Sequence, residues 1–117
     1  MKTILIVEDT DLNIDYLTQL LEDDYNLLIA KDGSQGLSMA QGENPDLILM
    51  DISLPIMDGY EATRRIRMTM PSTPIIGLSA HAMSGDEEKA KEAGCNDYLT
   101  KPVNEDLLIQ KLNQYLR

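Results

Sequence analysis

The sequence predicts an α/β protein built on a parallel β-sheet with helices on both faces. Five short apolar runs alternate with longer amphipathic stretches along the chain. Each run is continuously apolar, which is typical of strands buried on both faces. Because strand and helix alternate strictly, parallel strands joined by right-handed crossovers are favoured.

The apolar runs are the predicted strands. The first four are clear, and the fifth is weaker than the others. In chain order they are Ile4–Val7, Leu27–Ala30, Leu47–Met50, Ile75–Leu78 and Tyr98–Leu99.

The stretches between and after these runs are the predicted helices. The first and last carry apolar stripes at helical spacing, namely Ile14, Leu17, Leu20 and Leu21, then Leu108, Leu112, Tyr115 and Leu116. Capping signals mark three helix starts: Asp58 with Glu61, Ser84 with Glu87, and Asn104. Gly94 is placed where the fourth helix is expected to stop.

The length and charge of the chain restrict its class. A chain of 117 residues predicts one domain, covering residues 1–117. Its net charge of −10 repels phosphate backbones and anionic lipid headgroups, so we expect neither a nucleic-acid nor a membrane partner. All five aromatic residues are Tyr, which also disfavours a surface that stacks bases.

The remaining composition favours a cytoplasmic protein. The single cysteine, Cys95, excludes an internal disulfide and is best explained as a small packed residue. No apolar run approaches the length of a membrane span. The short apolar run after Lys2 is interrupted by Glu8, which is unlike a signal peptide.

Polar side chains follow the predicted strands at the points where four of them end. The first strand is followed by Glu8 and Asp9, the third by Asp51, the fourth by Ser79 and the fifth by Lys101. Ligands of open α/β sheets bind beyond the carboxyl ends of the strands. If these four strands are neighbours, three carboxylates, one hydroxyl and one ammonium meet at one rim.

This set of groups is suited to phosphoryl transfer onto a carboxylate. Clustered carboxylates repel one another unless a cation joins them, and oxygen ligands favour Mg²⁺. Lys101 supplies a second positive charge for an incoming phosphoryl group, and Ser79 can donate a hydrogen bond to it. An Asp carboxylate beside a metal ion is a known phosphoryl acceptor.

Taken singly, these residues have simpler explanations. Glu8 and Asp9 suit an acidic helix entry, and Asp51 suits a turn. Ser79 alone is uninformative, and Lys101 alone suits a solvated surface charge. Only their joint placement at successive strand ends favours a site.

The same residues give the chain its resemblance to a known family. The chain resembles the receiver domain of two-component response regulators over nearly its whole length, from Ile4 to about Leu116. The resemblance rests on five segments in order, which are Glu8-Asp9, Asp51, Leu54-Pro55-Ile56-Met57-Asp58-Gly59, Ser79-Ala80 and Lys101-Pro102. The segment 79–88 resembles receivers of hybrid histidine kinases and of single-domain cell-cycle regulators.

The resemblance implies a fold and a set of roles. The fold is a flavodoxin-like sheet of five parallel strands in the order 2-1-3-4-5, with five helices. The resemblance implies that Asp51 is phosphorylated and that Mg²⁺ is coordinated by Glu8, Asp9, Asp51 and the backbone carbonyl of Ser53. It also implies that Ser79 and Lys101 bind the phosphoryl group and that the peptide bond before Pro102 is cis. Tyr98 is then an aromatic switch, and Ser53 and His81 tune the phosphoryl lifetime.

The resemblance also implies partners. The phosphoryl donor is a histidine kinase or a histidine phosphotransfer protein. Nothing resembles a DNA-binding helix-turn-helix, so we expect output through protein binding at the face of helix four, strand five and helix five. His81 is the only histidine and is open to confusion with a kinase-type acceptor, but a loop position at the edge of the site explains it more simply.

Two other function classes remain as alternatives. A Mg²⁺-dependent phosphatase of the haloacid-dehalogenase type requires a second Asp two residues after the nucleophile, to act as general acid. This chain has Ser53 at that position. A scaffold that binds partners without phosphorylation does not need the full set of Glu8, Asp9, Asp51 and Lys101. The receiver hypothesis explains all of these residues.

Overall fold

A computed structural model describes residues 1–80 and 85–116 of the chain. In that part of the chain, five strands alternate with five helices. The elements are β1 (Thr3–Val7), α1 (Asp11–Leu21), β2 (Asn26–Ala30), α2 (Gly33–Glu43), β3 (Leu47–Asp51), α3 (Gly59–Thr69), β4 (Ile75–Ser79), α4 (Asp86–Ala93), β5 (Asp97–Thr100) and α5 (Glu105–Leu116).

The strands form one parallel sheet in the order β2-β1-β3-β4-β5. This confirms the predicted α/β class and strand order. Because β1, β3, β4 and β5 are neighbours, the residues that follow them reach the same rim. The register pairs Asp51 with Leu78 and Ser79 with Thr100, so the last residues of β3, β4 and β5 are nearly level.

Two apolar layers enclose the sheet. Alternate strand residues point to opposite faces, so Leu5 and Val7 pack on the side of α2, α3 and α4, whereas Ile4 and Ile6 pack on the side of α1 and α5. Side chains on both faces are fully buried. Burial on both faces explains why these strands are continuously apolar.

Predicted helix caps are present in the described residues. The Asp58 carboxylate accepts from the Glu61 amide at 2.9 Å, and the Asn104 side-chain oxygen accepts from the Leu107 amide at 2.9 Å. Gly94 caps the C-terminus of α4 with φ of 122°, a conformation that favours glycine. The predicted cap at Ser84 lies outside the described residues. Within the described part of the chain, no helix has the length and apolar character that a membrane crossing needs.

Candidate functional site

Three carboxylates meet at the rim of the sheet. Glu8 directly follows β1 and is fully buried, Asp51 ends β3 and is 3% exposed, and Asp9 is exposed. One oxygen from each lies within 4.8 Å of the others. A cluster of this kind, with one member open to solvent, has the ligand chemistry of a hard divalent cation.

Lys101 provides a positive charge within the same cluster. Its Nζ lies 2.5 Å from Glu8 Oε1 and 3.2 Å from Asp51 Oδ2. The lysine side chain is 14% exposed, so these ion pairs are largely shielded from water. Lys101 directly follows β5, at the same rim of the parallel sheet as the ends of β1 and β3.

Backbone amides hold the remaining carboxylate oxygens. The Asp9 amide donates to Glu8 Oε2 at 3.0 Å, and the Ser53 amide donates to Asp51 Oδ1 at 3.1 Å. Each buried carboxylate thus has one oxygen on a backbone donor and the other facing Lys101. These hydrogen bonds and ion pairs restrain both side chains.

The two buried acids differ in proton affinity. Burial raises the pKa of Asp51, and the neighbouring Glu8 raises it further, to about 7, despite the opposing effect of Lys101. Burial also raises the pKa of Glu8, but hydrogen bonds with Asp51 and Lys101 outweigh it, so the net direction is down. Two carboxylates this close do not both ionise readily. Asp51 is therefore the acid of the pair with the raised pKa, and Glu8 is the one that ionises more readily.

Ser79 and Lys101 are linked through the backbone. The Lys101 amide donates to the Ser79 carbonyl at 2.7 Å, and the Ser79 side chain is buried. The Lys101–Pro102 peptide bond is cis. The backbone of Lys101 is therefore hydrogen-bonded to the end of β4, while its ammonium contacts Glu8 and Asp51.

The loop from β3 to α3 is held tightly against the site. A Cβ at Gly59 would lie 2.2 Å from the carbonyl oxygen of Asp51, and a Cβ at Gly33 would lie 2.0 Å from that of Met57. Both positions therefore require glycine for close backbone approach. Gly59 belongs to the sequence motif that ends in Asp58-Gly59, but no sequence pattern indicated that Gly33 is required.

The same loop contains a strained turn. The Met57 amide donates to the Pro55 carbonyl at 2.7 Å, and the residue between them, Ile56, has φ of 70°. This is a γ-turn of the rarer type, and a β-branched residue is unusual there. The Ile56 side chain is 86% exposed beside the site. Sequence reasoning did not detect this turn, because Pro-Ile is not a turn signal.

Of the two further predicted residues, Tyr98 and His81, the structure describes only Tyr98. Tyr98 is on β5, half-buried, and packs against the apolar layer on the α3 and α4 side. His81 lies outside the described residues. The structure thus brings Glu8, Asp9, Asp51, Ser79 and Lys101 together. It places Tyr98 on β5, two strands away from β3, which ends in Asp51.

A cavity of about 350 Å³ opens beside the cluster. It lies between α1 and the segment 101–103, and its apolar wall includes Leu12, Leu17 and Val103. Tyr16 also lines the cavity, and its hydroxyl donates to the Val103 carbonyl at 2.8 Å. The cavity was not predicted from the sequence, because it depends on how α1 lies against the segment 101–103, which is distant in the chain.

Comparisons with known proteins agree with this geometry. The family model described as the response regulator receiver domain matches residues 4–113. The polar-differentiation response regulator DivK of Brucella ovis is 36% identical, over 98% of this chain and 96% of its own length.

Solved structures agree as well. The receiver domain of the sensor histidine kinase PA1611 of Pseudomonas aeruginosa, solved with a magnesium ion in its active-site cleft, is 39% identical with a TM-score of 0.91, covering 98% of this chain and 97% of that one. The receiver domain of Saccharomyces cerevisiae Ssk1, solved with the phosphotransfer protein Ypd1, is 32% identical with a TM-score of 0.91, covering 97% and 88%. Fold, clustered rim residues and these similarities lead to one conclusion: the chain belongs to the response regulator receiver domain family.

Proposed function

We propose that this chain is the phosphoacceptor module of a two-component phosphorelay, and that Asp51 receives the phosphoryl group. The observation that carries the proposal is the buried Asp51 carboxylate, held by a backbone amide on one oxygen and facing the Lys101 ammonium with the other. Residues 1–117 then act as one receiver domain. The similarity to a kinase receiver and to a receiver complexed with a phosphotransfer protein supports this role.

The metal proposed for the site is Mg²⁺. Glu8, Asp9 and Asp51 provide oxygens close enough to share one ion, and the backbone carbonyl of Ser53 is the proposed fourth protein ligand. Bound Mg²⁺ supplies charge neutralisation for the carboxylates and for the phosphoryl oxygens. The magnesium ion in the related kinase receiver supports this assignment.

The proposed reaction is a direct displacement at phosphorus. An Asp51 carboxylate oxygen attacks the phosphorus of a phosphohistidine, the P–N bond breaks, and the donor imidazole leaves with the electron pair. Lys101 and the Ser79 hydroxyl bind phosphoryl oxygens as this occurs. Water later attacks the same phosphorus, which restores the carboxylate and releases inorganic phosphate. The chain therefore catalyses its own modification and is not an enzyme that acts on a separate substrate.

The proposed signal runs from Ser79 to Tyr98. When the Ser79 hydroxyl moves toward the phosphoryl group, the Tyr98 ring turns inward. Ser53 and His81 are the proposed positions that tune phosphoryl lifetime, each lying two residues after a site residue. The parallel pairing of β4 with β5 supports this coupling.

The proposed donor is a histidine kinase or a histidine phosphotransfer protein. The apolar cavity beside Glu8 and Lys101 supports a protein donor, because it offers a docking surface beside Lys101, which contacts Asp51. Output is proposed through a protein partner at the face formed by α4, β5 and α5, in the cytoplasm. The charge of −10 argues against a nucleic-acid partner.

Acetyl phosphate tests the acceptor. We expect intact-mass analysis to find one added phosphoryl group on the wild-type chain with Mg²⁺, and none on Asp51→Asn. Asp23→Asn, which removes the same charge from an exposed position after α1, serves as the control and is expected to react as the wild type does. Phosphorylation of Asp51→Asn at His81 or at any other residue would contradict the assignment.

A further inference from the structure

The Tyr98 ring lies against a position on β4 that has no side chain. Gly77 pairs with Tyr98 in the register of β4 and β5. The ring atom Cδ1 of Tyr98 lies 3.5 Å from the point where a Gly77 Cβ would be. The ring therefore rests on the backbone of β4, two residues before Ser79.

Two other side chains surround the same point. Cys95 Sγ lies 3.4 Å from it and Ile52 Cδ1 lies 3.3 Å from it. Ile52 and Cys95 are buried, and Tyr98 packs against the layer to which they belong. Because Gly77 has no side chain, its backbone forms the floor of a small slot. The walls of this slot are Ile52, Cys95 and Tyr98.

Ile52 connects this slot to the proposed phosphorylation site. It directly follows Asp51, and its amide donates to the Leu78 carbonyl at 2.9 Å. A shift of the Asp51 backbone therefore moves the Ile52 side chain, which closes the slot on the side of β3. Tightly packed interiors transmit such displacements because they contain few voids.

We infer that Gly77 is the positioning residue for the Tyr98 ring, and that Ile52 is the wall through which the end of β3 acts on that ring. This route is separate from the Ser79 hydroxyl. The inference deepens the proposed function, since it adds a packing contact to the same switch. Its test uses the unphosphorylated chain, so the acetyl phosphate experiment and this one fail independently.

The slot leaves little room for a side chain at residue 77. An alanine Cβ meets Cys95 and Tyr98 at ordinary van der Waals distance, but Ile52 Cδ1 must move by a few tenths of an ångström. A valine adds two methyl groups, for which the slot has no room while the ring stays in place. Because the alanine Cβ is tightest against Ile52, it shifts toward the ring unless Ile52 yields. We therefore expect a small displacement of the ring in Gly77→Ala and a larger one in Gly77→Val.

The measurement is ¹⁹F NMR of the chain labelled with 3-fluorotyrosine, with the Tyr98 signal assigned by Tyr98→Phe. The solvent isotope shift of that signal reports ring exposure, and it should rise from wild type through Gly77→Ala to Gly77→Val. Gly42→Ala and Gly42→Val are matched controls, because nothing lies within 4 Å of a Cβ there. They should leave the Tyr98 signal unchanged.

The role of Ile52 is tested by rescue. Ile52→Val removes Cδ1, the nearest atom, so adding it to Gly77→Ala should return the Tyr98 exposure toward the wild-type value. An unchanged isotope shift in folded Gly77→Val would overturn the role of Gly77. If Gly77→Val does not fold, the test is the comparison of Gly77→Ala with the double variant that also carries Ile52→Val. Equal Tyr98 exposure in these two proteins would overturn the route through Ile52.

Discussion

Lys101 forms a buried ion pair with Glu8, with 2.5 Å between Nζ and Oε1, although 93 residues separate them in the chain. This contact is shorter than the one between Lys101 and the proposed phosphoacceptor, at 3.2 Å. In the metal-free protein Lys101 therefore serves as the counterion of Glu8. In the proposed mechanism, a metal ion that takes over this role would free the ammonium for the phosphoryl group.

The first prediction concerns this exchange of counterions. Lys101→Ala leaves two buried carboxylates without their ammonium, which should cost up to about 3–5 kcal/mol of unfolding free energy in the absence of metal. Mg²⁺ should recover much of that loss and should raise the melting temperature more than it does in the wild type. Lys111→Ala, which breaks the ion pair with Asp97 instead, should keep the wild-type response. A smaller response to Mg²⁺ in Lys101→Ala would contradict the exchange.

The second prediction concerns Asp9. Because its side chain is exposed, Asp9→Ala should keep the fold and weaken only the metal site. At ten times the dissociation constant, Mg²⁺ should stabilise the wild type by about 1.4 kcal/mol by mass action. Thermal unfolding should show this shift reduced in Asp9→Ala and retained in Asp23→Ala. An undiminished shift in Asp9→Ala would remove Asp9 from the ligand set.

The third prediction concerns pH. The pKa of Asp51 is raised from 3.8 in the unfolded chain to about 7 in the fold, so the folded state binds the proton more tightly. This stabilisation is complete below about pH 4 and is lost as the pH rises through 7. Glu8 has a lowered pKa, and its contribution is instead lost as the pH falls below 4.5. Denaturant unfolding without metal should therefore show stability falling between pH 5 and pH 8.

Asp51→Asn is the control for that pH dependence. The amide cannot ionise, so the fall between pH 5 and pH 8 should flatten, and the metal-free variant should be more stable than the wild type at pH 8. Saturating Mg²⁺ should flatten the wild-type curve too, since the ion favours the carboxylate. A wild-type slope that persists in Asp51→Asn would show that another group causes it.

The fourth prediction concerns the coupling of Ser79 to Tyr98. Ser79→Ala should still accept phosphate at Asp51, because the hydroxyl is neither the nucleophile nor a metal ligand. Amide NMR shifts at residues 97–101 on adding a phosphoryl mimic should be clearly smaller than in the wild type. The coupling lost is expected to be of order 1–3 kcal/mol. Wild-type shifts in this segment would show that the hydroxyl does not carry the signal.

The fifth prediction concerns the loop between β3 and α3. Gly59→Ala places a Cβ against the Asp51 carbonyl, so backbone must move, and we expect a loss of about 1–3 kcal/mol or more with weaker Mg²⁺ binding. Gly42→Ala, in open space on α2, should instead stabilise the chain by up to about 1 kcal/mol. Chemical denaturation measures the free energy of unfolding of Gly59→Ala and of Gly42→Ala. Equal effects of the two substitutions would show that Gly59 is not needed for close approach.

Local patterns were sufficient for most of the elements. The run Ile4–Val7 was predicted as a strand, and the structure extends it by one residue to Thr3. The caps at Asp58 and Asn104 were also predicted, because a capping side chain bonds within three residues of itself. Such signals are local in sequence, so they do not require knowledge of the fold.

Helix α2 shows where local patterns are insufficient. It contains Gly33, Gly36 and Gly42, which are poor helix formers, and only the alternation of elements predicted it. Tertiary packing requires glycine at two of these positions. A Cβ at Gly33 would strike the Met57 carbonyl, and one at Gly36 would strike the Val7 side chain.

The sequence by itself determined the α/β class, the strand ends that carry polar groups and the chemistry those groups favour. Only the tertiary structure decided that Lys101 pairs with Glu8, that Asp51 is the acid with the raised pKa, and that the Tyr98 ring rests on Gly77. Apolar runs and caps act over a few residues, whereas ion pairs, proton affinities and ring positions depend on which strands are neighbours and how deeply they are buried. Those distances exist only after the sheet has formed.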